Sequence, residues 1–285
     1  MFFLIKNAYL FDLDSCYNAY LMATKWDEKR SFWYCRAIEQ NNYPQKAVAV
    51  LAPLLKKCES VIDIGAGCGA LSIPASSLVK DITAVEPSRW MYELLLKRAK
   101  ESGIKNIRAY NTGWEGNRFR GNLHSKLRPH DMVICANLPE SIVCNVNFLK
   151  YISNISKKFI VYLQGAGEWD RFYYKKLYPI LFKKKYVYEG GFIKTYNFLC
   201  QHGIFANVRI FDFYLDQPFE DFDDAMDFWR HRLEKKLTAE KEKALVRFLK
   251  KKLIASGRND TLIAPFGLRK AAVMWWEHDN TQVNI

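Results

Sequence analysis

Asp63-Ile64-Gly65-Ala66-Gly67-Cys68-Gly69 constrains this chain more than any other stretch, because it directly follows the apolar run Ser60-Val61-Ile62. An apolar run that ends on alternating glycines reads as a strand leading into a tight turn. Glycine reaches positive φ without a Cβ clash, and the missing side chains let a ligand approach the backbone. The next apolar run, Ile82-Thr83-Ala84-Val85, ends on Glu86. A carboxylate at the tip of a neighbouring parallel strand is placed to accept both ribose hydroxyls of an adenosine. On this reading Glu86 makes its hydrogen bonds only when that ligand is present.

Two ligand families use this layout. Gly65-x-Gly67-x-x-Ala70 also satisfies the dinucleotide fingerprint, which keeps a nicotinamide-dependent oxidoreductase open. Asp63 separates the two, since an acid beside a pyrophosphate repels it whereas a ligand ending in an ammonium is attracted. The pattern Asp63-x-Gly65-x-Gly67-x-Gly69 resembles motif I of the class I S-adenosylmethionine-dependent methyltransferases. The resemblance implies a Rossmann-like α/β fold, mostly parallel with an antiparallel last strand, and S-adenosyl-L-methionine as cofactor. It implies that the backbone of Gly65, Ala66, Gly67 and Gly69 holds the methionine moiety, that Asp63 faces its ammonium, and that Glu86 holds the ribose with Pro87 beside it.

The resemblance continues downstream in order. Asn106 to Asn111 looks like the third strand, and Thr112-Gly113-Trp114-Glu115 lies where the family contacts adenine. His130 to Ala136, followed by Asn137-Leu138-Pro139-Glu140, looks like the fourth strand and its active-site loop. That loop is similar to the N-P-P-Y or N-L-P-Y loop of methyltransferases acting on planar nitrogens, including the adenine-dimethylating ribosomal RNA enzymes. Asn137 is thereby a candidate for both cofactor binding and catalysis. Glu140 replaces the aromatic residue of the family, and loss of a stacking face removes about 1–3 kcal/mol of base binding. It is either a general base or an acid in the first turn of a helix.

A chain of 285 residues suits one large α/β domain with additions. The apolar content of 49% is ordinary, and no apolar run approaches the ~18 residues of a membrane span. The short opening Met1 to Ile5 lacks a basic leader and does not read as a signal peptide. Seven cysteines form no C-x-x-C pair, which argues against structural zinc and disulfides and for a reducing, cytoplasmic setting. Five histidines with no H-x-x-E-H arrangement give no support to a catalytic metal. The net charge of +13 permits RNA as a partner without demanding it, so a small-molecule acceptor leads and RNA stays open.

Periodicity predicts an N-terminal helical segment over 1–57 and the methyltransferase-like domain over 58–285, with helices within 12–56 that could close over the cofactor. The expected core order is strand 60–64, helix 69–79, strand 81–86, helix 89–102, strand 106–111, strand 131–136, helix 143–155 and strand 158–163. Residues 168–203 read as an aromatic, lysine-rich insertion in which Trp169, Tyr196 and His202 either pack or reach a substrate. Phe205–Leu215 and Arg269–Trp276 read as the last two strands, an antiparallel hairpin interrupted by helices near 219–237 and 239–255. The insertion at 219–256 is therefore a candidate lid. This C-terminal order resembles stand-alone bacterial or archaeal class I methyltransferases, a likeness that brings no substrate with it.

Overall fold

The computed structural model describes residues 26–114, 128–167, 170–187, 191–233, 237–257 and 261–278. Asp27 caps the helix α1 (Glu28–Gln40) by accepting the Arg30 N–H at 2.9 Å, and Pro44 opens α2 (Tyr43–Leu55). Then come β1 (Ser60–Ile64), the short α3 (Ser72–Ala75), β2 (Asp81–Val85), α4 (Arg89–Glu101), β3 (Ile107–Tyr110) and β4 (His130–Ala136). Two more helices, α5 (Glu140–Val143) and α6 (Val146–Asn154), lead to β5 (Ser156–Ala166). The C-terminal part runs α7 (Tyr174–Phe182), α8 (Phe192–Gln201), β6 (Asn207–Tyr214), β7 (Gln217–Phe219), α9 (Phe222–Leu233) and α10 (Ala239–Lys250). Strands β8 (Ile254–Ala255), β9 (Leu262–Ala264) and β10 (Leu268–Glu277) end the described chain.

Seven strands form one sheet in the order β3-β2-β1-β4-β5-β10-β6, in which β10 runs antiparallel to both neighbours. Strands β1, β2 and β4 are buried almost throughout, as expected for parallel strands covered on both faces. One face packs on α2 through Ala47, Leu51 and Leu55, and the other on α6 and α8 through Phe148, Ile152 and Leu199. A third apolar cluster joins Trp33 of α1 to Tyr174 and Leu177 of α7, Phe228 and Trp229 of α9 and Leu245 of α10. The C-terminal insertion thus has a core of its own, and the N-terminal helix is part of it.

Several expected elements change length for identifiable reasons. The helix expected over 69–79 shrinks to Ser72–Ala75, where Pro74 removes an N–H and the hydroxyls of Ser76 and Ser77 turn back onto the Ile73 and Pro74 carbonyls. The helix expected over 143–155 is two helices, because Asn145 caps α6 by accepting the Phe148 N–H at 3.1 Å. Strand β5 is longer than 158–163, since its end at Gln164 to Ala166 pairs with Ala272 to Lys270 of β10. The small sheet β7-β9-β8 was not legible, its strands being too short for any alternation to show. Residues 12–25 of the expected N-terminal helices lie outside the described residues.

Candidate functional site

The glycine turn is tied to the end of β2. Gly65 and Ala66 donate their N–H groups to the Val85 carbonyl at 2.8 and 3.1 Å. Gly65 has φ 73°, and a Cβ there would collide with the Leu138 side chain, so both backbone and space require glycine. Gly67 has φ 56° and faces open space, which is the condition for a ligand to lie against it. Gly69 differs from the expectation: it is absent from the cavity wall, and a Cβ there would come 3.0 Å from Ile73. Its role is to let α3 and α4 close on the turn.

Glu86 also departs from the sequence reading. Its Oε2 accepts the Gly67 N–H at 2.8 Å and its Oε1 accepts the Ser88 N–H at 2.7 Å, so the carboxylate holds the turn together without any ligand. Each oxygen keeps a further lone pair for another donor. Glu86 is 5% exposed and Asp63 2%; burial pushes the Glu86 carboxyl up to about 7 and the Asp63 carboxyl up to about 6. The Ser72 hydroxyl donates to Asp63 Oδ2 at 2.6 Å, while Asp63 Oδ1 is buried with no hydrogen-bond partner among the described residues. That orphaned oxygen and the open face of Gly67 fit a small ligand with a cationic head.

Beyond the turn, a cavity of about 700 Å³ runs along the carboxyl ends of the strands. That is within the ~300–1,000 Å³ of small-molecule sites. Asp63, Gly65, Ala66, Gly67, Glu86 and Pro87 line one end, with Trp114, Asn137 and Glu140 beyond them. Trp114 packs edge-on against Phe148 at 5.1 Å and keeps a buried Nε1 without a hydrogen-bond partner among the described residues. Asn137 adopts φ 54° and donates from Nδ2 to the Tyr43 hydroxyl at 2.6 Å, which fixes the loop to α2. Glu140 sits in the first turn of α5, about half exposed, with Lys194 of α8 at 3.5 Å. His202 bonds through Nδ1 to the Phe198 carbonyl, and Tyr196 packs against the second core, so neither lines the cavity. Glu115 and Trp169 lie outside the described residues.

The sequence reading expected a cover from the N-terminal helices and from 219–256, but it did not identify the residues that line the other end of the cavity. Trp26, Arg30 and Tyr34 line it from α1 and the residue before its cap; Phe172, Tyr174 and Arg232 line it from the insertions; Gln164 and Arg269 line it from β5 and β10. The roof is held by bonds across long sequence separations. Trp33 Nε1 and Arg36 Nη1 both donate to the Asp224 carboxylate at 2.7 Å, Lys29 pairs with Asp227 at 2.8 Å, and Arg30 donates to the His231 carbonyl at 3.0 Å. Acids on α9 facing bases on α1 were the available signal, but their pairing is not local.

No protein-family model matches the chain. A stretch of 91 residues, 32% of this chain, is 31% identical to ribosomal RNA small subunit methyltransferase A of Desulforapulum autotrophicum. The match spans 31% of that curated relative. Among solved structures the chain is similar to a putative methyltransferase from Bacillus halodurans C-125, at 16% identity over 84% of this chain and 100% of that one, with a TM-score of 0.46. It is also similar to magnesium protoporphyrin IX methyltransferase from Synechocystis PCC 6803 with bound SAM, at 12% identity over 90% and 96% of the two chains, with a TM-score of 0.45. The strand order of the seven-stranded sheet, the antiparallel β10 within it, the glycine turn after β1 and the acid after β2 define a Rossmann-like α/β fold.

Proposed function

We propose that this chain transfers the methyl group of S-adenosyl-L-methionine to a small-molecule acceptor taken into the roofed cavity. The observation that carries the reading is one continuous cavity, with the glycine turn, Asp63 and Glu86 at one end and a roof of aromatic and basic side chains at the other. Asp63 Oδ1 takes the ammonium, the turn from Gly65 to Gly67 lies along the methionine moiety, and Glu86 with Pro87 receives the ribose. Trp114 borders the adenine, with Glu115 assigned to the same loop. The sulfonium methyl is itself a strong electrophile, so the protein's task is to hold an acceptor in line with it and to exclude water. Asn137, anchored on Tyr43, positions the acceptor at the junction of the two ends.

A nicotinamide dinucleotide fits poorly, because its pyrophosphate at the glycine turn would meet the buried Asp63 carboxyl. A reducing, cytoplasmic setting belongs to the same reading, since the six described cysteines are all free; among the described residues no helix is long and apolar enough to cross a membrane. Calorimetry with S-adenosylmethionine and with NAD tests the donor site. Micromolar affinity for the first, on the order of −8 kcal/mol, and none comparable for the second is the expected result. Tighter binding of NAD would overturn it.

RNA as acceptor is the second reading, and the 91-residue likeness to a ribosomal RNA methyltransferase favours it. Against it, Glu140 offers no stacking face where the related loops carry an aromatic ring, and the cavity is covered by α1 and α9. Retention on RNA that falls steeply with salt would support this alternative.

A further inference from the structure

The donor chemistry uses Asp63 and Glu86 and leaves a further buried polar group of the cavity wall unassigned. Gln164, 8% exposed, stands near the end of β5, and its Oε1 is buried without a hydrogen-bond partner among the described residues. Strand alternation puts it on the face of Ile160 and Tyr162, which packs against α6 and α8. On one side its register partner is Ala272 of β10, which has no polar side-chain atom. On the other, Ala136 of β4 pairs with Leu163 and the Asn137 N–H donates to the Leu163 carbonyl at 2.7 Å, so Gln164 stands beside the Asn137 turn. Buried polar atoms in folded proteins find a protein, water or ligand partner. The side left to Gln164 is the cavity that it lines.

The start of α8 stands over this strand tip. Gly191, the residue before α8, takes φ 126°, and a Cβ there would come 3.6 Å from the Gly165 carbonyl. Thr195, in the first turn of α8 and 1% exposed, lines the cavity together with Gly191 and Gln164. Its Oγ1 accepts from the Cys144 thiol at 3.8 Å, which leaves the hydroxyl hydrogen to be donated. Asn137, Gln164 and Thr195 therefore make an uncharged polar stretch of wall, while the nearby Glu140 is paired with Lys194 at 3.5 Å. The terminal torsion of a glutamine is soft, so the amide can turn its edge to a bound molecule. Turned either way, it offers one acceptor beside one donor.

We propose that Gln164 is a specificity-determining residue for the methyl acceptor and that it reads an uncharged amide-like edge, an N–H beside a carbonyl or ring nitrogen, as in lactams, carboxamides and amino-heterocycles. Gln164 Oε1 accepts the ligand N–H while Nε2 donates to the neighbouring carbonyl or ring nitrogen, the pairing by which a glutamine amide reads adenine. The Thr195 hydroxyl supplies a further donor on the same stretch of wall. A ligand with an ester oxygen in place of the N–H sets two acceptors against each other and leaves Oε1 unpaired, so Gln164 selects by rejection as well as by attraction. The inference rests on the methyltransferase reading above and gives the recognition of its acceptor a chemical class.

The test uses the full chain saturated with S-adenosylhomocysteine and probes of nearly equal shape that differ at the N–H. Calorimetry compares carbostyril with coumarin, isocarbostyril with isocoumarin, and nicotinamide with methyl nicotinate. The expected result is at least one N–H probe bound more than ~10-fold tighter than its oxygen partner. Gln164→Met should remove that preference without lowering the melting temperature of the unliganded protein, because it takes away an unpaired buried carbonyl. A glutamine with a purely structural role would lower the melting temperature and leave the ratio of the two probes in place. Thr195→Val should reduce the ratio by less, and it decides the matter if the Gln164 variant does not fold. Equal binding within every pair, no binding by any probe, or a ratio that survives Gln164→Met (or Thr195→Val in its stead) would overturn the proposal. Failure of the wild type to bind S-adenosylhomocysteine would instead remove the underlying reading, so the two failures are distinguishable.

Discussion

The two ends of the cavity are built differently. The donor end is made by short loops at the tips of β1, β2 and β4, held by backbone contacts such as Gly65 and Ala66 on Val85 and Glu86 on Gly67 and Ser88. The roofed end, proposed to take the acceptor, is made by side chains from widely separated parts of the chain, joined by contacts such as the hydrogen bonds of Trp33 and Arg36 to Asp224. Backbone-held loops tolerate few substitutions, because nearly every buried N–H needs its acceptor. A side-chain roof can change residues while the sheet below it persists, which is how one fold accommodates many acceptors. The comparison predicts that damage at the donor end affects stability and cofactor binding together, whereas damage at the roof affects the acceptor alone.

Glu86→Ala should have the largest effect. It strands the Gly67 and Ser88 N–H groups, at about 1–3 kcal/mol each, and removes the ribose acceptor, a further loss of about 2–4 kcal/mol in cofactor binding. Thermal unfolding with and without S-adenosylhomocysteine reads both. An unchanged melting temperature for the unliganded variant would show that the backbone bonds do not matter to stability, and would restore the purely ligand-binding reading of this carboxylate.

The two glycines should then part company. Gly65→Ala carries the positive-φ cost of about 1–2 kcal/mol plus the displacement of Leu138, while Gly67→Ala carries only the first. Gly67→Ala should nevertheless weaken the cofactor at least as much, because its Cβ enters the open face. Equal losses of stability in the two variants would break the distinction.

At the roof, Asp224→Ala removes the shared acceptor of Trp33 and Arg36, and unlatching α1 from α9 should cost about 1–3 kcal/mol. Hydrogen exchange should rise in residues 28–40 and 222–233, with S-adenosylhomocysteine affinity unaltered. Loss of cofactor binding in this variant would show that the two ends are not independent.

The acids give a pH dependence of known sign. The folded-state values of about 6 for Asp63 and about 7 for Glu86 lie above the usual carboxyl range. Their contribution to the stability of the unliganded protein is therefore full below pH ~4 and lost as pH rises through 6 to 7. A cationic head group beside Asp63 favours ionisation, so cofactor affinity should rise over the same interval and level off above it. In Asp63→Asn that rise should be reduced, which isothermal titration across pH 5 to 8 checks. The smallest effect belongs to Glu140→Gln. Its partner Lys194 is largely exposed, and such pairs contribute about 0–1 kcal/mol, so stability should hardly move. A large fall in turnover with normal cofactor binding would give this carboxylate a part in the chemistry.

Much of the donor end was legible because its signals are local. A β-strand followed by alternating glycines, or a carboxylate closing an apolar run, can be read within a few residues, and β1, β2 and α4 appear close to their expected bounds. Even there, the double backbone bond of Glu86 was not visible, since it depends on how the Gly67 and Ser88 amides turn toward one carboxylate. The acceptor end was largely hidden. Arg269 read only as a strand residue and Phe172 only as part of an aromatic segment.

What the sequence determined by itself is the order of elements and the chemistry at the strand tips, because hydrophobic period, glycine conformations and helix caps act between near neighbours along the chain. What only the tertiary structure decided is the acceptor end. Arg269 enters the wall through the antiparallel register of β10 on β5, Phe172 through a positive-φ backbone held by Trp229, and Arg232 because α1 and α9 close on each other through Asp224. Each placement depends on contacts between segments far apart in the chain, whose pairing is chosen by packing and ion pairs across the whole fold.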